Sequence, residues 1–309
     1  MKCSDCFSMQ NRKKKFLVIP HRLMYNLIVG FTRNETNKEG INYEKKSSSF
    51  RRWYRGVHFV ERLKRVSYRF KTTSDLDGHT VGNLLLTASS EITGNLSDGI
   101  EALSKVFNLK GKVVPLTEEN VVLMGEMEDG SIIEGEHHIT RNHQGIKRVY
   151  YKEKPKPTKE AVKALEEADL IILSMGSLFT SIIPNLICDE ILEAIDRSKG
   201  KIMYACNMVT QPGETEGFKV SDHVRLLNQY LGRRKIDVVI ANDGQINEDM
   251  AKRYESLEQK DPVELDRETT EGLVERVLSD DYVMVRNNLL RHNVMKLSMH
   301  IFGYLLEQE

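Results

Sequence analysis

Two polar segments of the chain each follow a short apolar run, and both contain residue types that bind anions. The first reads Ser174-Met175-Gly176-Ser177-Leu178-Phe179-Thr180-Ser181. Glycine permits close backbone approach to a ligand, and hydroxyls just before a predicted helix add donors to the helix's own N–H groups. The segment therefore predicts a phosphate site, although Ser, Thr and Gly are also common in ordinary strand-to-helix turns.

The second segment reads Asn207-Met208-Val209-Thr210-Gln211-Pro212-Gly213-Glu214-Thr215-Glu216-Gly217. It is long, polar and glycine-containing, and loops of this kind that follow a strand are often functional. A solvated crossover is the alternative interpretation. We expect a ligand-binding loop here, close in space to the first one.

Two further places offer polar groups to a ligand. His79 precedes a predicted helix and is expected either to cap it, to pack against it or to face a ligand. Arg291 precedes the last helix and carries a guanidinium fork suited to phosphate or carboxylate. Each residue alone is weak support for a site.

The sequence contains no recognisable catalytic constellation. It has no Gly-x-Ser-x-Gly, Walker loop or Gly-x-Gly-x-x-Gly pattern. Glu214, Asp222 and His223 could form an acid–base group, but a solvated loop and a helix start explain them equally well. We therefore predict no catalytic residue and no metal ligand.

Regular elements must position these segments, and their pattern indicates the fold class. Helical patterns over residues 159–168, 183–197 and 222–231 alternate with apolar strand-like runs over 169–173, 201–206 and 236–241. Such alternation predicts an α/β fold with a doubly wound, mostly parallel sheet. Asp129-Gly130 between two strand-like runs predicts a β-hairpin insertion. In an open parallel sheet, ligands bind beyond the carboxyl ends of the strands, where both polar loops would lie.

The amino-terminal part of the chain differs from the rest. Residues 1–69 contain 17 Lys and Arg against 5 Asp and Glu, and they show no sustained periodicity. We predict a basic segment over 1–66, solvated rather than bound to nucleic acid, and an α/β domain over 67–309.

The sequence contains no apolar run of about 18 residues, the length that would predict a membrane span. The cysteine pattern predicts a reduced, cytoplasmic protein.

Three motifs resemble those of the YvcK/CofD-like family, and they lie in the family's order across about 240 residues. The first is Gly78-His79-Thr80-Val81-Gly82-Asn83; the second runs from Asp169 through Gly176-Ser177-Leu178-Phe179-Thr180-Ser181. The third is Asn207 through Thr210-Gln211-Pro212-Gly213-Glu214-Thr215, followed by Ser221-Asp222-His223-Val224. The chain is more similar to the YvcK branch, the gluconeogenesis factors, than to the phospholactate transferases.

The resemblance implies a Rossmann-like fold that binds a uridine-diphosphate sugar, such as UDP-N-acetylglucosamine or UDP-glucose. It implies a regulatory role in cell shape and cell-wall synthesis on gluconeogenic carbon sources, without a required cofactor or an established catalytic activity. Cell-wall synthesis or morphogenesis proteins are the implied partners, and we also expect a homo-oligomer. The residues implied to contact the ligand are His79, Asn83, Gly176, Ser177, Thr180, Asn207, Thr210, Gln211, Gly213, Glu214 and Arg291.

The chain departs from the family pattern in two places. Ser174-Met175-Gly176 stands where the family has Gly-Pro-Gly, and residues 1–66 lack the family's first glycine-rich turn and its acidic block. We therefore expect the amino-terminal third to be replaced, frameshifted or truncated. Three other interpretations stay open: a CofD-type transferase that takes a phospholactyl-like group from a nucleotide, an inactive family member, and a nucleic-acid-binding basic arm.

Overall fold

The structure, a computed structural model, describes residues 16–19, 27–31, 68–74, 76–109, 111–142, 144–247, 249, 260–286 and 289–308. The strands are β1 (Phe16–Ile19), β2 (Leu27–Phe31), β3 (Lys112–Pro115), β4 (Leu123–Met127), β5 (Ile132–Glu134), β6 (Ile146–Tyr151), β7 (Leu170–Leu173), β8 (Lys201–Ala205), β9 (Val238–Asn242), β10 (Arg276–Asp280), β11 (Val283–Arg286) and β12 (Leu289–His292). The helices are α1 (Val81–Thr93), α2 (Leu96–Val106), α3 (Glu136–Arg141), α4 (Lys159–Glu166), α5 (Ile183–Leu186), α6 (Asp189–Arg197), α7 (Val220–Tyr230), α8 (Arg267–Glu271) and α9 (Val294–Glu307).

The main sheet has the strand order β10-β9-β8-β7-β1-β2-β3. β1 and β7 to β10 pair in parallel, whereas β2 is antiparallel to both β1 and β3. β7, β8 and β9 are short, buried and mainly apolar runs, as expected when both faces of a sheet are covered. The predicted α/β fold with a mostly parallel, doubly wound sheet is confirmed, and it is Rossmann-like.

Alternate residues of β7 and β8 enter two different cores. Ile171 and Tyr204 face one side, where they join a large cluster with residues of α4, α6 and α7. Ile172 and Met203 face the other side, where they pack with Leu297, Ile301, Tyr304 and Leu305 of α9. The period-two alternation of β7 and β8 thus directs their apolar side chains toward helices on both sides of the sheet.

Local capping explains where several helices begin. The side chain of Thr80 accepts a hydrogen bond from the Asn83 N–H and starts α1, and Asn95 does the same for α2 through the Asp98 N–H. α1 ends at Gly94, whose φ of 89° is easily reached only by glycine. The helical hairpin of α1 and α2 packs on β3 through a small cluster around Leu86 and Ile100.

The predicted β-hairpin insertion is present as β4 and β5, joined by a turn with Gly130 at a φ of 83°. β6 pairs with the other side of β4 and completes a three-stranded antiparallel sheet. The hydroxyl of Tyr151 in β6 donates to the Pro184 carbonyl at 3.0 Å, which attaches this small sheet to α5.

The structure differs from the sequence-based expectation at two points. The single helix predicted over residues 183–197 is wrong, because the backbone becomes extended at Cys188 and a new helix, α6, begins at Asp189. Asp189 and Glu190 in the first turn stabilise that new helix N-terminus. In addition, β1 and β2 lie before residue 67, where the sequence indicates no regular element. The domain boundary itself stays a prediction.

Within the described part of the chain, the helices all lack the combination of length and apolar character that crossing a membrane requires.

Candidate functional site

The first loop, residues 174–177, follows β7 and makes a tight turn. The Gly176 N–H donates to the Ser174 carbonyl at 2.8 Å. A π-helical turn over Leu178–Ile182 follows, in which the Ser177 carbonyl accepts from the N–H groups of Ser181 and Ile182. Widened turns of this kind are frequent at functional sites. All residues of the π-helical turn are buried.

The second loop, residues 207–219, follows β8 and is fixed at several points. The Thr210 N–H donates to the Asp261 carbonyl, and the Asp261 N–H donates back to the Thr210 hydroxyl, both at 2.8 Å. Gly213 has a φ of 77°, and its carbonyl accepts from the Ile146 N–H of β6 at 3.2 Å. The three-stranded sheet therefore contacts the second loop and α5, in both cases through β6.

A hydrogen-bonded group joins the two loops. The Ser177 hydroxyl donates to Oε1 of Gln211 at 2.7 Å, and Nε2 of Gln211 donates to Oε1 of Glu214 at 2.5 Å. The Glu214 carboxylate also accepts from the Phe179 N–H at 3.1 Å and from the Thr180 hydroxyl at 3.4 Å. We call Ser177, Gln211 and Glu214 the bridging triad. It connects the residues that follow two adjacent parallel strands.

Asn207 makes a second connection between the loops. Its Nδ2 donates to the Gly176 carbonyl at 3.0 Å. Its Oδ1 is buried and has no hydrogen-bond partner among the described residues. A buried acceptor without a donor lowers the stability of a folded protein. This oxygen is therefore suited to accept a hydrogen bond from a ligand hydroxyl or N–H group.

Arg291 lies in β12, which is anchored against the end of β8. Nε2 of His292 is 3.1 Å from the carbonyl oxygen of Cys206, the residue that follows β8. Burial lowers the pKa of His292, so its ring is neutral near pH 7. Arg291 is exposed, and its guanidinium donates to the carbonyl of Leu290 at 2.9 Å. The cationic side chain of Arg291 is thus adjacent in sequence to His292, which contacts the residue after β8.

The predicted residues His79 and Asn83 lie at the start of α1. The His79 N–H donates to the Leu76 carbonyl, and its own carbonyl accepts from the Phe70 N–H. The Asn83 N–H is used by the Thr80 cap. The structure therefore assigns both residues a part in forming the helix start, and their contact with a ligand stays a prediction.

The three residues considered as an acid–base group, Glu214, Asp222 and His223, each have different partners in the structure. The His223 ring is fully buried, and its Nδ1 is 2.9 Å from the Tyr204 hydroxyl. The Asp222 carboxylate accepts from the Lys219 N–H and pairs with Arg225 at 2.9 Å. Burial lowers the pKa of His223 to about 4, so this imidazole is neutral near pH 7. Glu214 instead belongs to the bridging triad.

The two loops and the π-helical turn between the first loop and α5 contain most of the predicted ligand contacts. These residues are Gly176, Ser177, Thr180, Asn207, Thr210, Gln211, Gly213 and Glu214. Sequence reasoning missed the π-helical turn, the anchoring role of His292 and the use of Glu214 as an internal acceptor. The described residues contain no group of three or more His, Cys, Asp or Glu side chains placed to hold a metal ion.

Comparison with known proteins agrees with this fold. The family model described as 2-phospho-L-lactate transferase CofD matches residues 29–283. The match begins further toward the amino terminus than the three motifs indicate, contains both loops and ends before Arg291.

Several relatives carry the name gluconeogenesis factor, among them proteins of Bacillus subtilis and Halalkalibacterium halodurans. The protein of Bacillus subtilis is 39% identical over 241 residues, which cover 78% of this chain and 76% of the relative. The protein of Halalkalibacterium halodurans is 38% identical over 232 residues, covering 75% and 72%. A crystal structure of a Bacillus halodurans protein superposes with a TM-score of 0.72 at 38% identity, covering 79% of this chain and 78% of that one. The chain therefore belongs to the CofD family and is similar to its members named gluconeogenesis factors.

Proposed function

We propose that this protein binds a nucleotide sugar, UDP-N-acetylglucosamine or UDP-glucose, and acts as a regulator rather than as an enzyme. The observation that carries the proposal is the bridging triad, which joins the loops after β7 and β8. Ligands of doubly wound folds bind at this edge of the sheet. Similarity to proteins named gluconeogenesis factors supports a regulatory role in carbon metabolism.

The finer parts of the proposal follow from the family resemblance. The regulator would act in the cytoplasm, in the control of cell shape and cell-wall synthesis during growth on gluconeogenic carbon sources. Its partners would be proteins of cell-wall synthesis or morphogenesis, and it would assemble as a homo-oligomer. Arg291 supplies the positive charge that a diphosphate requires.

A thermal-shift titration with UDP-N-acetylglucosamine tests the proposal. A ligand that binds only the folded state stabilises it by about 2.7 kcal/mol at a hundred times its Kd. We expect a dose-dependent rise in Tm for the unsubstituted chain and a much smaller rise for Arg291→Ala. Arg233→Ala is the matched control, because Arg233 is an exposed arginine between α7 and β9, toward the amino end of β9, that pairs with Asp196. No rise in Tm at any ligand concentration would contradict the proposal.

A transferase activity is the second candidate, because the matching family model carries the description 2-phospho-L-lactate transferase. Incubation of the protein with a guanosine-linked phospholactyl donor and a deazaflavin acceptor distinguishes the two. Our proposal expects no transfer product. A product that accumulates in proportion to the amount of protein would favour the transferase instead.

A further inference from the structure

The segment after β7 was predicted to bind a phosphate, but the carboxylate of Glu214 already accepts a hydrogen bond from the Phe179 N–H in this segment. Glu214 accepts from the Phe179 N–H and from the Thr180 hydroxyl, which are two of the donors expected to serve a phosphate. Glu214 is 6% exposed. The anion that accepts from these two donors is thus supplied by the protein itself.

The third expected donor is also used internally. The Ser177 hydroxyl donates to the carbonyl oxygen of the Gln211 side chain, and the amide nitrogen of Gln211 donates to Glu214. The opposite orientation of the amide would place its oxygen against the carboxylate, so the charge of Glu214 fixes the direction of the whole chain of hydrogen bonds. The Phe179 N–H and the Thr180 hydroxyl therefore serve Glu214 directly, and the Ser177 hydroxyl is linked to it through Gln211.

Two acceptors remain close to these hydrogen bonds. Oδ1 of Asn207 is a buried acceptor without a partner among the described residues. The Ser177 oxygen, having donated its hydrogen, keeps its lone pairs. A phosphate oxygen offers only acceptor sites and a negative charge, so it matches neither Asn207 Oδ1 nor the Glu214 carboxylate. A hydroxyl or an amide N–H matches both.

We propose that the two loops bind a hydrogen-bond donor of the ligand, a sugar hydroxyl or amide N–H, and exclude phosphate through Glu214. This inference rests on the proposed function and assigns the sugar to the bridging triad and Asn207. The diphosphate then lies outside this group, where Arg291 is a candidate partner. Glu214 and Asn207 become the residues that distinguish a nucleotide sugar from the free nucleotide.

The first experiment uses inorganic pyrophosphate, so it decides the inference whether or not a nucleotide binds. The amide resonance of Phe179 is followed by NMR in the unsubstituted protein and in Glu214→Gln. We expect pyrophosphate to leave this resonance in place in the unsubstituted protein and to shift it in the variant, where the N–H group has lost its charged acceptor. A shift in the unsubstituted protein, or no shift in either protein, would overturn the inference.

The second experiment measures the Kd of UDP and of UDP-N-acetylglucosamine by calorimetry. We expect the unsubstituted protein to prefer the nucleotide sugar at least tenfold and Glu214→Gln to lose most of that preference. Asn207→Ala leaves Glu214 in place and is expected to reduce the preference as well, which provides a second variant if Glu214→Gln does not fold. An equal preference in all three proteins would refute the assignment. Binding of neither ligand to the unsubstituted protein would refute the proposed function, and the pyrophosphate result would still decide whether Glu214 excludes phosphate.

Discussion

The Tyr204 hydroxyl lies 2.9 Å from Nδ1 of His223, and both side chains are fully buried between β8 and α7. The ring of Phe218, a residue of the second loop, packs edge-on against the same imidazole with 5.6 Å between the ring centroids. Nε2 of His223 is buried and has no partner among the described residues. A titratable group thus supports the second loop from within the core.

We expect this histidine to make the folded state sensitive to acid. Burial lowers the pKa of His223 to about 4, and the nearby Asp222 carboxylate only partly offsets that effect. An unfolded histidine titrates near 6.5, so between these values the unfolded state binds more protons and the free energy of unfolding falls as the pH falls. The decrease attributable to His223 is about 3 kcal/mol by pH 4.

Urea unfolding at pH 7.5, 5.5 and 4.5 measures this contribution. His223→Gln keeps a polar group beside Tyr204 and removes the titration, so its stability should depend less on pH over this interval. His138→Gln, at an exposed position of α3, is the matched control and should follow the unsubstituted protein. Parallel pH curves for all three proteins would contradict the prediction.

The hydrogen bond between Ser177 and Gln211 should make the two loops energetically dependent on each other. Ser177→Ala removes the donor, and we expect a loss of about 1 kcal/mol in the free energy of unfolding. In a double-mutant cycle with Gln211→Ala, the coupling energy should be about 1 kcal/mol, because the two side chains are in direct contact. Thr73→Ala, at an exposed position, controls for the loss of a hydroxyl. Additive effects of the two substitutions would show that the loops are not coupled through this bond.

Tyr151 should attach the hairpin insertion to the site. Its hydroxyl donates to the Pro184 carbonyl at the start of α5, so Tyr151→Phe should lower the free energy of unfolding by about 1 kcal/mol. Tyr150→Phe is the matched control, because Tyr150 is the adjacent residue and its side chain points to the opposite face of β6. Hydrogen exchange of the Ile146 amide, which donates to Gly213, should accelerate only in Tyr151→Phe. Equal exchange in the two variants would indicate that the insertion is held by other contacts.

Two glycines should respond in opposite directions to the same substitution. A Cβ at Gly200 would lie 2.5 Å from the Ala168 carbonyl oxygen, so Gly200→Ala should cost about 2 kcal/mol or more through backbone displacement. A Cβ at Gly303 in α9 would meet no atom within 4 Å. Gly303→Ala should therefore stabilise the protein by about 1 kcal/mol through higher helix propensity. Thermal unfolding of the two variants would show the contrast, and a stable Gly200→Ala variant would contradict it.

Much of the fold was predictable because the parallel strands and their helices are regular. The apolar runs that end at Leu173 and Cys206 are continuous, and each is followed by a polar loop, so the position of the candidate site at the carboxyl edge follows from the pattern alone. β1 and β2 were not predicted, although they are as long as the strands that were. They lie in the basic segment, where no alternating helical and apolar pattern surrounds them, and their place in the sheet depends on pairing with distant strands.

The chemistry of the site was less predictable than its position. Glu214 and Phe179 are 35 residues apart, and their contact depends on the turn at Gly213 and on the π-helical turn. The residue types alone indicate donors suited to phosphate. Only the three-dimensional arrangement shows that those donors already serve an internal carboxylate.

The position of β1 has a consequence for the time course of biosynthesis. Phe16 pairs with Leu170 in the interior of the main sheet, so roughly 150 residues of chain separate two neighbouring strands. At synthesis rates of about 20 residues per second or slower, β1 leaves the ribosome on the order of ten seconds before its parallel partner exists. Contacts this distant along a chain also slow the folding step itself. During that interval the unpaired edge of β1 is open to pairing with other polypeptides.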